Sequence, residues 1–304
     1  MADSIEMPAL PVSPTDEIQL ADWLEISALL SDDKNSSSGD LERALRRSSV
    51  LEIAEDQEAV ERMCQQVFRE LEDRARSAGD SYPFTVHRTL LKLRSAIDEF
   101  PAYIFCLCLS YYDVKQPGKQ RTFPRRMFED LACLAAKNYL GGKSLRFASP
   151  RVQLPKPFKE AVGALCFQIG EGRGDRHQAG LSSKDAGLDV VAWKDFLDAR
   201  PGKLIVFGQC TSGKDWKSKV GELNPVAFCS QWMEADPVTP VVKAFFIPHR
   251  IAPKQWEWIN RRAGMVFDRC RLSFWVHREE KLGHRREVVA WYKATLKSVG
   301  SGVP

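Results

Sequence analysis

Aspartate is depleted in β-strands and costly to bury without a partner, yet Leu188-Asp-Val-Val-Ala-Trp193 reads as an apolar strand with Asp189 inside it. A second strand-like run, Lys203-Leu-Ile-Val-Phe-Gly-Gln-Cys210, follows the turn cluster Asp198-Ala-Arg-Pro-Gly202. Two such runs around a Gly/Pro turn predict an antiparallel hairpin. A register with Val191 opposite Phe207 puts Trp193 opposite Ile205 and Asp189 opposite Gln209. Directly opposed residues share a face, with Cβ atoms ~5 Å apart. A carboxylate and an amide oxygen that close, with the Cys210 backbone carbonyl beside them, suit a hard cation such as Mg²⁺, with Mn²⁺ as a substitute. A cation held this way polarises a phosphate oxygen and supplies hydroxide.

A lysine then serves as a point charge that stabilises developing negative charge or orients the water. Lys214 stands five residues beyond Gln209, in Thr211-Ser-Gly-Lys214. Glu171, on the preceding helix in Gly170-Glu-Gly172, is a candidate to complete the metal shell. Lys184, Lys217 and Lys219 flank the same segments and are candidates for phosphate contacts. Each residue also has a plainer reading. Asp189 could pair with a nearby Lys or Arg at a strand edge, and Gln209 could simply bond to backbone. Lys214 could be a solvated loop lysine, and Glu171 an exposed residue just past a helix end.

The elements around these residues divide the chain. Residues 1–15 hold three prolines and little periodicity, and are expected to be poorly ordered. Residues 16–115 read as all-helical: Asp16 to Leu30, a second helix from a cap at Asp40 through Arg47, Glu58 to Ser77, Thr85–Ile97 and Pro101–Tyr112. This region suits docking of a protein partner or cover for the rest. After a basic linker, Gln116 to Pro124, the pattern changes. Helices at Arg125 to Leu140 and Phe158 to Ile169 precede the hairpin. Strands at Val241 to Ile247, Met265–Phe267 and Leu272–Val276 follow it, with a helix around Trp256 to Arg262. Residues 120–304 therefore read as an α/β domain.

Charge is split between these parts. Residues 1–60 carry 14 acidic and 4 basic residues, a balance of −10; as the whole chain is +4, residues 61–304 carry +14. A basic body suits a polyanionic partner, because each neutralised phosphate releases counterions. The most apolar stretch, Tyr103 to Tyr112, is far short of the ~20 residues that span a bilayer, so no membrane partner is expected. The acidic N-terminus lacks a leader's basic start and apolar core. Eight cysteines sit singly in apolar segments without the clustered ligands of a zinc site; they fit reduced, buried thiols in a cytoplasmic protein. Gly208-Gln-Cys-Thr-Ser-Gly-Lys-Asp215 has the glycine spacing of a P-loop, but Asp215 replaces the hydroxyl that would bind Mg²⁺ and would repel phosphate.

The order of helix with acidic residue, Gly-x-Asp strand, hairpin, Glu/Gln strand, lysine and helix resembles the PD-(D/E)xK nucleases. More narrowly, Lys184-Asp-Ala-Gly-Leu-Asp-Val-Val-Ala-Trp193 with Gly208-Gln-Cys210 is similar to the glutamine-bearing branch, which includes restriction-type and anti-phage defence nucleases. The resemblance covers roughly residues 120–280. It implies a restriction-endonuclease-like mixed sheet flanked by helices, and Mg²⁺-dependent hydrolysis of nucleic acid, DNA first, in defence against foreign DNA. Asp189 matches the family's metal-binding aspartate and Gln209 its Glu or Gln. The family's lysine lies two residues later, where this chain has Thr211; Lys214 is the substitute from further along. Two other readings stay open: a nuclease-like fold that binds nucleic acid or a partner without cleaving, and a subunit active only with a protein from the same defence system. A second copy of the chain is a further candidate partner.

Overall fold

In the computed structural model the described residues are Pro8, Leu10, 16–47, 56–112, 122–174, 186–277 and 284–300. They fall into two units: one of residues 1–114, 249–252 and 269–304, the other of residues 115–248 and 253–268. The stretch after residue 268 thus belongs with the N-terminal part, not with the α/β part as the linear pattern suggests.

In the first unit, Asp16 caps α1 (Glu17–Leu30) by accepting the Ile18 and Gln19 N–H groups. After β1 (Asn35–Ser37), α2 (Ser38–Arg47) opens with a capping box. The Asp40 carboxylate accepts the Ser37 N–H at 2.8 Å, while Ser37 Oγ accepts the Asp40 N–H at 3.3 Å. Asp40 therefore lies inside the first turn rather than at the cap. Beyond α3 (Gln57–Ala78) come β2 (Phe84–His87) and β3 (Leu90–Leu93), then α4 (Pro101–Tyr112). The segment expected as a helix over 85–97 is instead a hairpin, and the first 115 residues are not all-helical. Its turn needs Arg88 at φ 53°, which no helix allows. The strands are too short for their two-residue alternation to stand out. β1 joins them in the antiparallel order β1-β3-β2.

Every residue of α1 from Leu20 to Leu29 is buried, including Asp22 and Glu25. Buried carboxylates need charged partners. Arg74 on α3 reaches Asp22 at 2.7 Å and Glu25 at 2.9 Å, and Arg269 reaches Asp22 at 2.8 Å. Tyr82 and Tyr103 hydroxyls each donate to Glu25 at 2.8 Å.

The second unit begins with α5 (Thr122–Leu140), β4 (Lys143–Arg146) and α6 (Phe158–Ile169). Then follow β5 (Val190–Lys194), β6 (Leu204–Cys210), α7 (Trp216–Lys219), α8 (Pro225–Trp232), β7 (Val242–Phe246), α9 (Pro253–Ala263) and β8 (Met265–Phe267). The five strands form one mixed sheet in chain order: β4, β5 and β6 are antiparallel, whereas β6, β7 and β8 are parallel. The unit is a mixed α/β structure. Helices α6 and α8 pack Leu165, Ile169, Phe228 and Trp232 against Val191, Trp193, Ile205 and Phe207 on one sheet face. α5 meets the other, where Glu129 holds Arg146 of β4 at 3.0 Å. Gly264 turns α9 into β8 at φ +77°, where a Cβ would meet the Lys243 carbonyl at 2.3 Å.

The chain returns to the first unit with α10 (Arg269–His277) and α11 (Arg285–Gly300). Leu272–Val276, expected as a strand, lies in α10. Its aromatic and branched residues favour strands, but Leu272, Ser273 and Val276 are buried at helical spacing, and packing overrides propensity. Among the described residues, no helix is long and apolar enough to cross a membrane.

Burial alone would raise the Asp22 carboxyl, but Arg269 and Arg74 outweigh it and bring it from 3.8 down to about 2. Its stabilisation is therefore present above pH 3.8 and lost as pH falls toward about 2. Asp22→Asn should cost about 3 kcal/mol in urea unfolding near pH 7, and the gap from the unsubstituted protein should close on acidification. A gap that holds constant down to pH 2 would contradict this ion pairing.

Candidate functional site

The hairpin has the register expected from its apolar pattern: Val191 faces Phe207 and Trp193 faces Ile205. The pairing ends with Val190 opposite Gly208, and the Asp189 N–H donates to that same Gly208 carbonyl at 2.9 Å, so the regular alternation breaks at Asp189. Asp189 and Gln209 both lie buried at the open end of the hairpin, but they are not the facing pair expected from the sequence, since Asp189 bonds across to Gly208. The Asp189 carbonyl accepts the Phe147 N–H at 2.7 Å and the Ala148 N–H at 3.1 Å. Its carboxylate accepts the Cys210 N–H at 2.8 Å. The residue is therefore held from both neighbouring chain segments. Gly208 makes room for the Phe246 ring of the next strand: a Cβ there would lie 2.5 Å from it.

Asp189 and Gln209 border one cavity of about 220 Å³, together with Arg125, Cys210, Lys219 and Glu222. Arg125, on α5, places its guanidinium 4.0 Å from the Asp189 carboxylate and 3.0 Å from Glu129. The Gln209 amide nitrogen donates to the Glu222 carboxylate at 2.8 Å, and its Oε1 is buried with no hydrogen-bond partner among the described residues. Burial, and then the Asp189 carboxylate, push the Cys210 thiol far above the usual thiol range. That thiol stays protonated, so Cys210 contributes backbone groups to the site and not a thiolate.

Other sequence candidates lie elsewhere. Glu171 sits at the turn end of the hairpin, about 20 Å from Gln209 at the rise of a strand. Its carboxylate accepts the N–H groups of Gly202 at 2.7 Å, Lys203 at 2.9 Å and Val238 at 3.1 Å. It ties the turn to the loop before β7 and does not reach the cavity, which corrects its expected place in the metal shell. Lys214 is exposed and does not border the cavity. Lys219, one helical turn on, does, and also pairs with Asp215 at 3.4 Å. Lys217 is exposed, with its ammonium 5.7 Å from the Trp216 ring. Lys184 lies outside the described residues.

Three residues at or beside the cavity are not picked out by the sequence. Arg125 and Glu129 carry a weak signal, an i,i+4 pair on α5. Glu222 carries none, because its importance depends on where the turn after α7 lands.

Among the described residues, no three His, Cys, Asp or Glu side chains stand together as a metal cluster. The residues bordering the cavity bring two carboxylates, Asp189 and Glu222, the second accepting the Gln209 amide, with the Gln209 amide oxygen, the hydroxyl residues Thr211 and Ser212, and backbone. That set fits a hard ion that keeps most of its waters, as Mg²⁺ does, and not a fully caged one. Comparison with models of known families, with curated proteins and with solved structures gives no match.

Glu171→Gln should lower stability by about 2 kcal/mol, the scale for weakened charge-assisted hydrogen bonds. It should leave cation binding at the Asp189 end unchanged. Thermal unfolding and Mn²⁺ titration of the same preparation check both; lost Mn²⁺ binding with unchanged stability would restore Glu171 to the metal shell.

Proposed function

We propose that the second unit is a Mg²⁺-dependent nuclease of the PD-(D/E)xK, restriction-endonuclease-like kind, hydrolysing phosphodiester bonds of DNA in defence against foreign nucleic acid. One observation carries the reading: Asp189, with a buried carboxylate, and Gln209, whose amide oxygen is buried without a hydrogen-bond partner among the described residues, border one cavity together with Glu222 and two cations, Arg125 and Lys219. Acceptors concentrated in a buried space favour a cation, and flanking positive charge favours a phosphate beside it. The basic balance of residues 61–304 agrees with a polyanionic substrate.

When bound, the metal supplies Lewis acidity and a water of lowered pKa. Asp189 provides the charged ligand, oriented by the Cys210 N–H. Gln209 Oε1 and the Cys210 carbonyl are the neutral ligands. Lys219 takes the charge-stabilising role that the sequence suggests for Lys214, because it is the lysine that borders the cavity. Arg125 orients a non-bridging phosphate oxygen through its planar guanidinium.

A second reading, a nuclease-like module that binds nucleic acid or a partner without cleaving it, is favoured by Thr211. That residue is buried at the family's lysine position.

Cleavage of plasmid, linear and single-stranded DNA with Mg²⁺, with and without neighbouring gene products, separates the two. Asp189→Ala should abolish cleavage. Lys219→Ala should slow it about 100-fold, the scale for losing one charge-stabilising donor, and Lys214→Ala should stay near the unsubstituted rate. DNA binding should survive all three and weaken steeply with salt. Salt-sensitive binding with no cleavage under any condition would favour the second reading. Normal cleavage by Asp189→Ala would show that the site is misplaced.

A further inference from the structure

A glutamine amide has two ends of nearly equal shape and opposite hydrogen-bonding character. Which end faces the cavity decides whether Gln209 attracts a cation or repels it. The Gln209 nitrogen lies 2.8 Å from a Glu222 carboxylate oxygen. An ionised carboxylate accepts hydrogen bonds and cannot donate them. Turning the amide over would bring two acceptor oxygens to that separation with no proton between them. Glu222 therefore selects the orientation in which Oε1 is the buried, unpartnered atom. Glu222 is itself placed by a turn, its N–H donating to the Lys219 carbonyl at 3.1 Å. One short segment thus sets both the amide orientation and the lysine at the cavity.

We infer that Glu222 is a positioning residue that latches the Gln209 amide so that Oε1 serves as a ligand for a divalent cation shared with Asp189. The inference rests on the cation reading above and adds the residue that makes the amide usable. It also changes the outlook for Gln209→Glu. The sequence alone suggests this change preserves a ligand, but here it sets a second carboxylate against Glu222. The pair works as amide with carboxylate in either order. Gln209→Glu combined with Glu222→Gln rebuilds it. The amide introduced at position 222 then donates to one oxygen of the carboxylate introduced at position 209, and the other oxygen turns to the cavity.

The test uses the full chain and Mn²⁺ alone as the probe, followed by electron paramagnetic resonance. Glu222→Gln should weaken Mn²⁺ binding about 10-fold or more, the scale for losing an outer partner of a metal ligand. The double variant should return to within about threefold of the unsubstituted protein, while thermal unfolding stays the same in all three. A second readout needs no metal. The Gln209 side-chain NH₂ signals in ¹⁵N spectra, assigned by their loss in Gln209→Glu, should show slowed exchange that disappears in Glu222→Gln. If Glu222→Gln binds Mn²⁺ as tightly as the unsubstituted protein, or leaves those NH₂ signals unchanged, the latch is overturned. If no form binds Mn²⁺ while the NH₂ signals do change, the amide orientation stands and the cation reading beneath it falls.

Discussion

A carboxylate excluded from water must be held by donors or neutralised by a cation, and the second unit is arranged around one such group, Asp189. Its backbone closes the end of the β5–β6 ladder, and its side chain accepts the N–H of Cys210 from the facing strand. The bond requires the two strand ends to lie in one register, and the apolar faces of β5 and β6 enforce it. A slip by one residue would send Val191, Trp193, Ile205 and Phe207 out of the core. The hydrophobic effect that folds the sheet thereby also sets the polar pair at its end. Fold and site share one constraint.

The same logic governs the first unit. α1 is buried along most of its length, so Asp22 and Glu25 are folded into the interior and must be matched there. Their partners come from residues 52 and 247 positions away from Asp22. Burial of an ion pair seldom adds net stability over apolar packing, but it makes any wrong pairing expensive. The network fixes how α1, α3 and α10 meet within their unit.

This distance along the chain explains which features are legible in the sequence. The hairpin register is readable because the two strands and their turn are contiguous in the chain and their alternation is clean. Asp189 stands out because it contradicts its surroundings. Glu171 misleads because proximity to a strand in sequence does not say which end of the hairpin a helix will meet; it meets the turn. Lys214 fits by counting from Gln209, but the α7 turn brings a lysine from further along, Lys219, to the cavity. The β2–β3 hairpin is hidden because its strands are four residues each. α10 is hidden because its residues favour strands, and only tertiary packing settles them as a helix.

The central claim is that Asp189 and Gln209 share one divalent cation. Crystals of the full chain soaked in MnCl₂ and measured at the manganese absorption edge test it most directly. The account predicts one anomalous peak within about 2.5 Å of both an Asp189 carboxylate oxygen and Gln209 Oε1, with waters filling the remaining positions. A well-ordered cavity without a peak, or manganese bound only elsewhere on the chain, would contradict it.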